Sequence, residues 1–366
     1  MIILDHLRPT MNMDGACWMR RSLEEPVSAL LFDSYNNLIA GGWNGCLTKW
    51  SADGDEIWGA RLPDRVSSIA VTEKYVFATS GLHLVAVDNE TGSVIWQHAL
   101  EGSADQVVIH NERIITTSSV YDIEHNDFID SAIWCYDDAG KKHWETHLDE
   151  RPWVILGTKD KLFVGLGRPK MGAAVVNDDG SLEYLTLESN SPVTAGTESS
   201  SGVVFGHSNG DLTKPSEPVR SGNGQSISAI CSSKEGALVV CDESQVTKLN
   251  SSNQIEWVID VIGLSAVANG FPIEGNQSVW LGIQDGINGI LHVISQADGA
   301  IISTMHCGKI NCITGNANRV ALGDEKGDIF VWEDAMLNRR FGDDANVEDD
   351  GHRQSMRDKL KALRKR

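Results

Sequence analysis

The sequence predicts an all-β fold, a closed β-propeller with eight four-stranded blades. Three observations support it: a turn-and-tryptophan segment recurs at intervals of about forty residues, short alternating strands precede each copy, and the chain ends carry complementary parts of one further copy. Composition agrees, because the 366 residues include 35 Gly and 11 Trp but only 8 Phe and 5 Tyr. A surplus of one large aromatic residue is expected where a single packing position is repeated.

The repeated segment is a β-rich run, a polar turn containing glycine, and an aromatic residue four positions after that glycine. It is clearest in LVAVDNETGSVIWQHAL (84–100), where Trp96 follows Gly92. Glycine and asparagine supply the positive φ of a tight hairpin, and we assign the aromatic residues a structural role at the seam between blades. The turn positions and the residues four places later are Gly54 and Trp58, Gly92 and Trp96, Gly140 and Trp144, Gly180 and Tyr184, Asn253 and Trp257, and Gly299 and Ser303.

The spacing of these turns sets the number of blades. Successive turns lie 38, 48, 40, 73 and 46 residues apart, and the interval of 73 is long enough to contain one degenerate copy. Counting that copy, the mean spacing is about 41 residues, which accommodates the four short strands of a propeller blade. VSALLFD (27–33) and NLIAGGW (37–43) are examples of the two strands that precede a copy.

The eighth blade is divided between the two ends of the chain. Residues 310–334 provide three strands and then stop, whereas residues 15–26 can supply the missing outer strand, with Trp18 near the repeated position. Pairing of these segments would close the ring and remove an open sheet edge. The alternative is a seven-bladed ring in which residues 1–25 form a loose arm.

The C-terminal end departs from the repeat. We divide the chain into an N-terminal arm (1–14), the propeller (15–334), an acidic flexible linker (335–351) and a basic amphipathic tail (352–366). Apolar residues of the tail are spaced as on one face of a short helix, and its charge suits an acidic protein, RNA or an anionic membrane. A charged end that folds back on the acidic ring is an equal alternative. The candidate contact residues of the tail are Met356, Leu360, Leu363, Lys359 and Arg364.

Charge and cysteine content restrict the function classes. The chain carries 31 basic and 51 acidic residues, a formal net charge of −20, so the ring is expected to repel DNA. Its 7 cysteines are scattered without a CxxC pair, which argues against a disulfide framework or a zinc site. The N-terminal segment lacks a signal-peptide core, and no apolar run is long enough to cross a membrane. We therefore expect a cytoplasmic monomer.

Loops between second and third strands are the predicted places for a functional site. Blade 3 carries VYDIEHNDFIDS (120–131), an oxygen-rich loop that could bind a hard cation, although a solvated acidic loop also explains it. Blade 4 carries GRPKMG (167–172), a basic spot for an acidic partner, and blade 7 carries QDGINGI (284–290), which lacks the helix of a phosphate cradle. The candidates are Asp122, Glu124, Asp127 and Asp130 for a metal, and Arg168 and Lys170 for a partner.

Two related families share these repeats. AVDNETGSVIWQHAL (86–100) resembles the tryptophan-docking repeat of the pyrroloquinoline-quinone-type (PQQ-like) propellers, and the last copy, ALGDEKGDIFVW (321–332), is similar to a WD repeat. The first family includes quinoprotein dehydrogenases and the propeller lipoprotein of outer-membrane barrel assembly. The chain departs from the dehydrogenases because it has no vicinal cysteine pair, and from the lipoprotein because Cys17 follows no lipoprotein signal.

The sequence favours a non-enzymatic scaffold that binds protein partners. The 11 histidines are dispersed, no HExxH motif is present, and the paired acids fall in hairpin turns, so we assign no catalytic residue and no cofactor. The basic tail is a second contact in this interpretation. Two alternatives stay open: a quinone-dependent propeller enzyme, and a small-ligand sensor that uses the central channel.

We predict that ring closure depends on the N-terminal segment. Deletion of residues 1–25 removes the candidate fourth strand of the last blade and leaves an open edge, which promotes association between chains. The expected result is aggregation or a large fall in melting temperature, measured by light scattering and thermal unfolding. A truncated chain that stays monomeric and equally stable would contradict this closure.

Overall fold

The structure, a computed structural model, describes residues 12–124, 126–215, 217–233 and 235–345. Within these residues, 32 strands form eight antiparallel sheets of four strands each, and the first strands of neighbouring sheets contact one another around a ring. Each sheet is one blade, numbered from the N-terminal end. The predicted eight-bladed propeller is confirmed, and the seven-bladed alternative is excluded.

Each of blades 1 to 4 consists of four consecutive strands, with the first strand innermost and the fourth at the outer edge. These strands are β2 (Val27–Phe32), β3 (Leu38–Gly42), β4 (Cys46–Trp50), β5 (Glu56–Arg61), β6 (Val66–Val71), β7 (Tyr75–Ser80), β8 (His83–Asp88), β9 (Val94–Ala99), β10 (Ser103–His110), β11 (Arg113–Asp122), β12 (Asp127–Tyr136), β13 (Lys142–Leu148), β14 (Pro152–Gly157), β15 (Leu162–Leu166), β16 (Gly172–Val176) and β17 (Leu182–Leu185).

Blades 5 to 7 follow the same order, and blade 8 has three C-terminal strands and one N-terminal strand. Blade 5 is the degenerate copy expected within the 73-residue interval. The strands are β18 (Val193–Ser199), β19 (Gly202–His207), β20 (Leu212–Lys214), β21 (Glu217–Arg220), β22 (Ile227–Ser232), β23 (Leu238–Asp242), β24 (Gln245–Leu249), β25 (Ile255–Asp260), β26 (Leu264–Asn269), β27 (Ser278–Asp285), β28 (Asn288–Ser295), β29 (Ile301–Cys307), β30 (Ile310–Gly315), β31 (Arg319–Asp324), β32 (Asp328–Glu333) and β1 (Met19–Ser22).

The ring is closed by pairing of the two chain ends. Strand β1 lies antiparallel to β32, from Met19 opposite Val331 to Ser22 opposite Asp328, so the sheet order is β1-β32-β31-β30. This pairing covers the edge that β32 would otherwise expose. The predicted closure by the N-terminal strand is therefore confirmed.

Tryptophans of the outer strands hold neighbouring blades together. The indole N–H of Trp58 donates to the carbonyl of Asn89 in blade 2 at 2.9 Å, and its ring lies against Gly92. Gly92 has φ of 74°, and a Cβ there would lie 2.9 Å from the indole, so backbone conformation and space both require glycine. The same bond is made by Trp96 to Asp138 (2.9 Å), Trp144 to Asp178 (2.8 Å) and Trp257 to Gln296 (3.1 Å).

Two positions of the repeat differ from the sequence prediction. In blade 8, Met19 and not Trp18 occupies the docking position, because Met19 is opposite Val331 and its sulfur lies 3.1 Å from the Cβ site of Gly54. In blade 4, Tyr184 lies opposite Ala174 without the register shift that precedes each docking tryptophan, and its side chain remains exposed. The outer turn of blade 5 has no glycine on which an aromatic ring could pack.

The two faces of the ring carry different connections. We call the face with the links between blades and the turns between second and third strands the upper face, and the opposite face the lower face. The loops singled out in the sequence at 120–131, 167–172 and 284–290 join β11 to β12, β15 to β16 and β27 to β28, so all three lie on the upper face.

Helix α1 (Met13–Ala16) precedes β1 and packs on blade 8 at the lower face. Met13 is buried, and its carbonyl accepts a hydrogen bond from Trp332 Nε1 at 2.8 Å. The N-terminal arm predicted for residues 1–14 therefore differs from the structure at its end, where Met13 is part of the packed core.

Helix α2 (Asp334–Ala345) replaces the first part of the linker predicted for residues 335–351. Leu337 is buried, and the amide of Asn338 donates to the carbonyl of Pro272 in blade 7 at 3.0 Å. These contacts with distant residues order a segment whose own sequence lacks clear periodicity. No helix in the described ranges is long and apolar enough to cross a membrane. The candidate residues of the tail, Met356, Leu360, Leu363, Lys359 and Arg364, lie outside the described residues.

We predict that the docking tryptophans carry much of the stability of the ring. Trp58 is only 5% exposed, so Trp58→Ala should lower the free energy of unfolding by about 3–5 kcal/mol. Tyr35→Ala is the control, because Tyr35 is 69% exposed and a surface change should cost less than about 0.5 kcal/mol. Urea denaturation measures the free energy of unfolding of both variants. Equally small losses of free energy in the two variants would show that Trp58 does not hold the seam.

Candidate protein-interaction surface

Exposed large apolar side chains lie along the outer strands and on the upper face of the ring. Among the described turns that join two strands on the lower face, one such residue, Tyr35, is exposed. The upper face therefore has the apolar area that marks a surface for contact with another molecule. Its exposed residues are Trp43, Leu82, Tyr121, Ile123, Ile129, Trp153, Ile262 and Ile287.

The densest group lies where blades 3 and 4 meet. Strands β11 and β12 have ten residues each, the longest pair in the described ring, so their hairpin extends the upper face of blade 3. At its tip, Tyr121 and Phe128 pack edge to face at 5.1 Å, and the Tyr121 hydroxyl donates to Asn126 Oδ1 at 2.6 Å. Trp153 of blade 4 packs against Phe128 at 5.9 Å. We name Tyr121, Ile123, Phe128, Ile129 and Trp153 the blade 3–4 patch.

A partly buried arginine holds this patch in place. The guanidinium of Arg151 lies 3.8 Å from the ring centre of Phe128 and 4.1 Å from that of Trp153, so it is held between the two rings. It also donates to Asp105 at 2.9 Å, and Asp105 accepts from the Ser119 hydroxyl at 2.6 Å. Burial raises the pKa of the Asp105 carboxyl, although Ser119 and the charge of Arg151 act in the opposite direction.

The basic loop of blade 4 covers a buried acid. Arg168 and Lys170 are exposed, and Lys170 Nζ lies 3.5 Å from Glu150 Oε1. This ion pair raises the pKa of Lys170. The structure thus places one of the two predicted partner-binding residues, Lys170, near an acid of its own chain, whereas Arg168 is exposed.

Glu150 has fewer donors than its counterpart in blade 1. Both are two residues before the first strand of their blade, and Glu25 accepts from the backbone amides of Asn44 (2.9 Å) and Cys46 (3.0 Å). Glu150 is 0% exposed, and its two carboxylate oxygens accept no hydrogen bond from the described residues. The longer turn of blade 4 does not bring backbone amides to it, which leaves Lys170 as its cationic neighbour.

The acidic loop of blade 3 does not gather its four candidate metal ligands. Asp122 Oδ1 accepts from the amide of Glu124 at 2.7 Å, and Asp127 Oδ1 accepts from the amide of Phe128 at 2.9 Å, as in ordinary turns. Asp130 instead lies near Glu101 and His147, which are not among the predicted ligands. Within the described residues this group includes none of Asp122, Glu124 and Asp127.

One further sequence motif has the spacing of a catalytic site. GHSNG (206–210) matches the GxSxG pattern of serine hydrolases, but it forms a turn between two strands, whereas that nucleophile lies on a strand-to-helix turn. The Ser208 hydroxyl bonds Ser191 Oγ at 2.7 Å, and buried His207 bonds the Ser191 carbonyl and Thr213 Oγ1. Burial lowers the pKa of His207, and both of its ring nitrogens are engaged in hydrogen bonds within the blade.

The lower face has cavities in the grooves between blades. One of about 610 Å³ lies between blades 2 and 3, lined by Glu73, Lys74, Glu112 and Arg113 among others. A second, of about 280 Å³, lies between blades 3 and 4. Both are on the opposite side of the ring from the blade 3–4 patch.

We predict that Arg151 stabilises the patch in a pH-dependent way. Arg151→Met leaves Asp105 without its cation, so the free energy of unfolding at pH 7 should fall by about 1–3 kcal/mol. The raised pKa of Asp105 means that its charged form weakens the fold as the pH rises above about 3.9, and loss of Arg151 raises that pKa further. The difference from wild type should therefore be smaller near pH 4 than at pH 7.

Urea denaturation at the two pH values measures this effect. Arg168→Met is the matched control, because it removes an exposed arginine from the neighbouring loop. An Arg151 effect that is equal at both pH values would show that Asp105 is not its electrostatic partner.

The fold is shared with propellers of several origins. BamB from Moraxella catarrhalis has 14% identity over 87% of this chain and 99% of that chain, with a TM-score of 0.68. Sqt1 from Saccharomyces cerevisiae has 10% identity over 87% and 98%, with a TM-score of 0.69. The computationally designed Ika8 protein has 16% identity over 86% and 98%, with a TM-score of 0.60. At these identities the likeness establishes the fold alone.

Family membership comes from the sequence match. No curated protein matches the chain. A family model, PQQ_2, described as outer membrane protein assembly factor BamB, matches residues 43–304, more than half of the chain. These residues include every tryptophan that docks on the next blade and the whole blade 3–4 patch. The chain therefore belongs to the PQQ-like propeller family described as outer membrane protein assembly factor BamB.

Proposed function

We propose that this protein is a non-enzymatic scaffold that binds a protein partner through the blade 3–4 patch. The observation that carries the proposal is the aromatic group on the extended hairpin of blade 3, held rigid by Arg151 between Phe128 and Trp153. Exposed tyrosine, tryptophan and arginine are the side chains that contribute most to binding at protein interfaces.

Rigidity supports this proposal. Ordering a mobile side chain on binding costs free energy, and a surface that is already ordered avoids much of that cost. Trp153 is fixed by the Arg151 contact, and its carbonyl accepts from the side chain of Gln106 at 2.8 Å. The patch is thus preorganised for binding, and Arg168 at its edge can make a charged contact with a partner.

The family description and the cysteines add weaker support. The family is named for an assembly factor, and assembly requires contact with other proteins. All seven cysteines lie within the described residues and are free thiols, which fits the proposed cytoplasmic location, where thiols stay reduced. The basic tail remains a proposed second contact.

A second candidate function is binding of a small polar ligand. The cavity of about 610 Å³ on the lower face favours it, because the cavity is lined by charges of both signs. Native mass spectrometry of protein from its host would detect such a ligand, and near-ultraviolet absorbance would detect a quinone.

The scaffold proposal predicts that partners contact the upper face. A photo-cross-linking residue at Ile123, which is 86% exposed, should form protein adducts in host cells, and one at Tyr35 on the lower face should not. Trp153→Ser should reduce the Ile123 adducts by at least about tenfold, because it removes an interface anchor. Removing residues 352–366 should weaken partner recovery in a salt-sensitive way without unfolding the ring. Equal adducts at both positions would show that the patch is not the binding surface.

A further inference from the structure

The hairpin end of the blade 3–4 patch is acidic, whereas Arg168 and Lys170 lie at its blade 4 edge. Glu124 and Asp127 are exposed at the hairpin tip, and Glu101, in the link between blades 2 and 3, lies near Asp130 of β12. An occupant of this surface therefore has to combine apolar area with positive charge.

Glu150 adds an independent indication of positive charge in the occupant. Its buried carboxylate has no hydrogen-bond donor among the described residues and is approached by Lys170 alone, whose own side chain is 62% exposed. A buried carboxylate is stabilised by hydrogen bonds and cations, so a second basic group at this edge would be favourable.

The chain itself contains a segment with this chemistry. Residues 352–366, HRQSMRDKLKALRKR, hold seven lysines and arginines and one acid, and Met356, Leu360 and Leu363 recur at helical spacing. This charge is opposite to that of the chain as a whole, which is −20.

The segment cannot reach the patch of its own ring. Helix α2 contacts blade 7 on the lower face, whereas the patch lies on the upper face at blades 3 and 4. The six residues between α2 and the segment span at most about 20 Å, and a helical segment adds about 12 Å up to Leu360. One six-residue strand is already about 20 Å long, and each step to a neighbouring blade adds about 10 Å. The patch that the segment reaches therefore belongs to another molecule.

We propose that residues 352–366 of one chain dock on the blade 3–4 patch of a second copy. Leucine and methionine cover Ile123 and Ile129, and the basic residues face the acidic surroundings of the patch. One such contact leaves a patch and a tail free at the two ends of the pair, so further chains can add. The small contact area makes association weak, and the monomer expected from the sequence is the form at low concentration. This inference rests on the proposed function, because it uses the same patch.

Sedimentation velocity of the full chain at low ionic strength tests this contact. The wild-type protein should sediment faster as its concentration rises across roughly 1–300 µM. Two double variants, Ile123→Ser with Ile129→Ser and Leu360→Ser with Leu363→Ser, should each lower the association constant at least about tenfold. The matched control is Ile262→Ser with Ile287→Ser, since these isoleucines are 81% and 84% exposed elsewhere on the upper face. Circular dichroism confirms that each variant is folded.

Mixing the two defective variants gives the most specific result. The patch variant retains its tail and the tail variant retains its patch, so an equimolar mixture should form a one-to-one complex that neither forms alone. Association should weaken as salt rises from about 0.1 M to 1 M, because the Debye length falls from about 10 Å to 3 Å.

Three results would overturn the proposal: a wild-type chain that stays monomeric, a patch variant that associates as wild type does, or a mixture that forms no complex. The proposed function would survive any of them if Ile123 still cross-links to a different protein. Both the proposed function and this inference would fail if Ile123 forms no adduct with any protein.

Discussion

The docking of an outer-strand tryptophan on the glycine turn of the next blade is the interaction on which this ring depends. Trp58 illustrates its two components, a hydrogen bond to the carbonyl of Asn89 and packing over Gly92. The contact works only if glycine has positive φ and no Cβ, so the turn and the aromatic residue are required together. Where the pair is incomplete, as at Tyr184, the seam relies on the buried residues of the inner strands.

A ring held in this way provides fixed positions for long loops. The hairpin of blade 3 extends from strands whose inner parts are buried, and its tip is supported across the seam by Arg151 and Trp153 of the following segment. The patch is thus built by two blades, and its geometry depends on their contact. The same arrangement buries Asp105 beside Arg151, which couples the stability of the surface to the protonation of one carboxyl group.

The repeat predicted the fold because its determinants are local in sequence. A glycine and a tryptophan four residues apart are visible without knowledge of the structure, and their spacing gave the blade number. Trp18 was placed one residue from the true docking position, because the register of β1 is set by pairing with β32 at the other end of the chain. Helix α2 was missed because Leu337 and Asn338 are ordered by contacts with distant blades.

Only part of the candidate site could be predicted from the sequence. The charges of the loops at 120–131 and 167–172 predicted a functional site. In the structure, the apolar residues between the charges of the first loop form most of the patch. Asp105, Phe128 and Arg151 come from three separate segments, so their contact appears only after folding. Exposed apolar residues such as Ile123 in an otherwise polar turn were the available signal.

Hydroxyl-radical footprinting in host cells, compared with the purified protein, tests most directly that the upper patch is the contact surface. Tyrosine and tryptophan side chains report their own solvent exposure in this experiment. The account predicts that Tyr121 and Trp153 are oxidised less in cells than in the purified protein, whereas Tyr35 is oxidised equally in both. Protection of Tyr35 with full oxidation of Trp153 would contradict it.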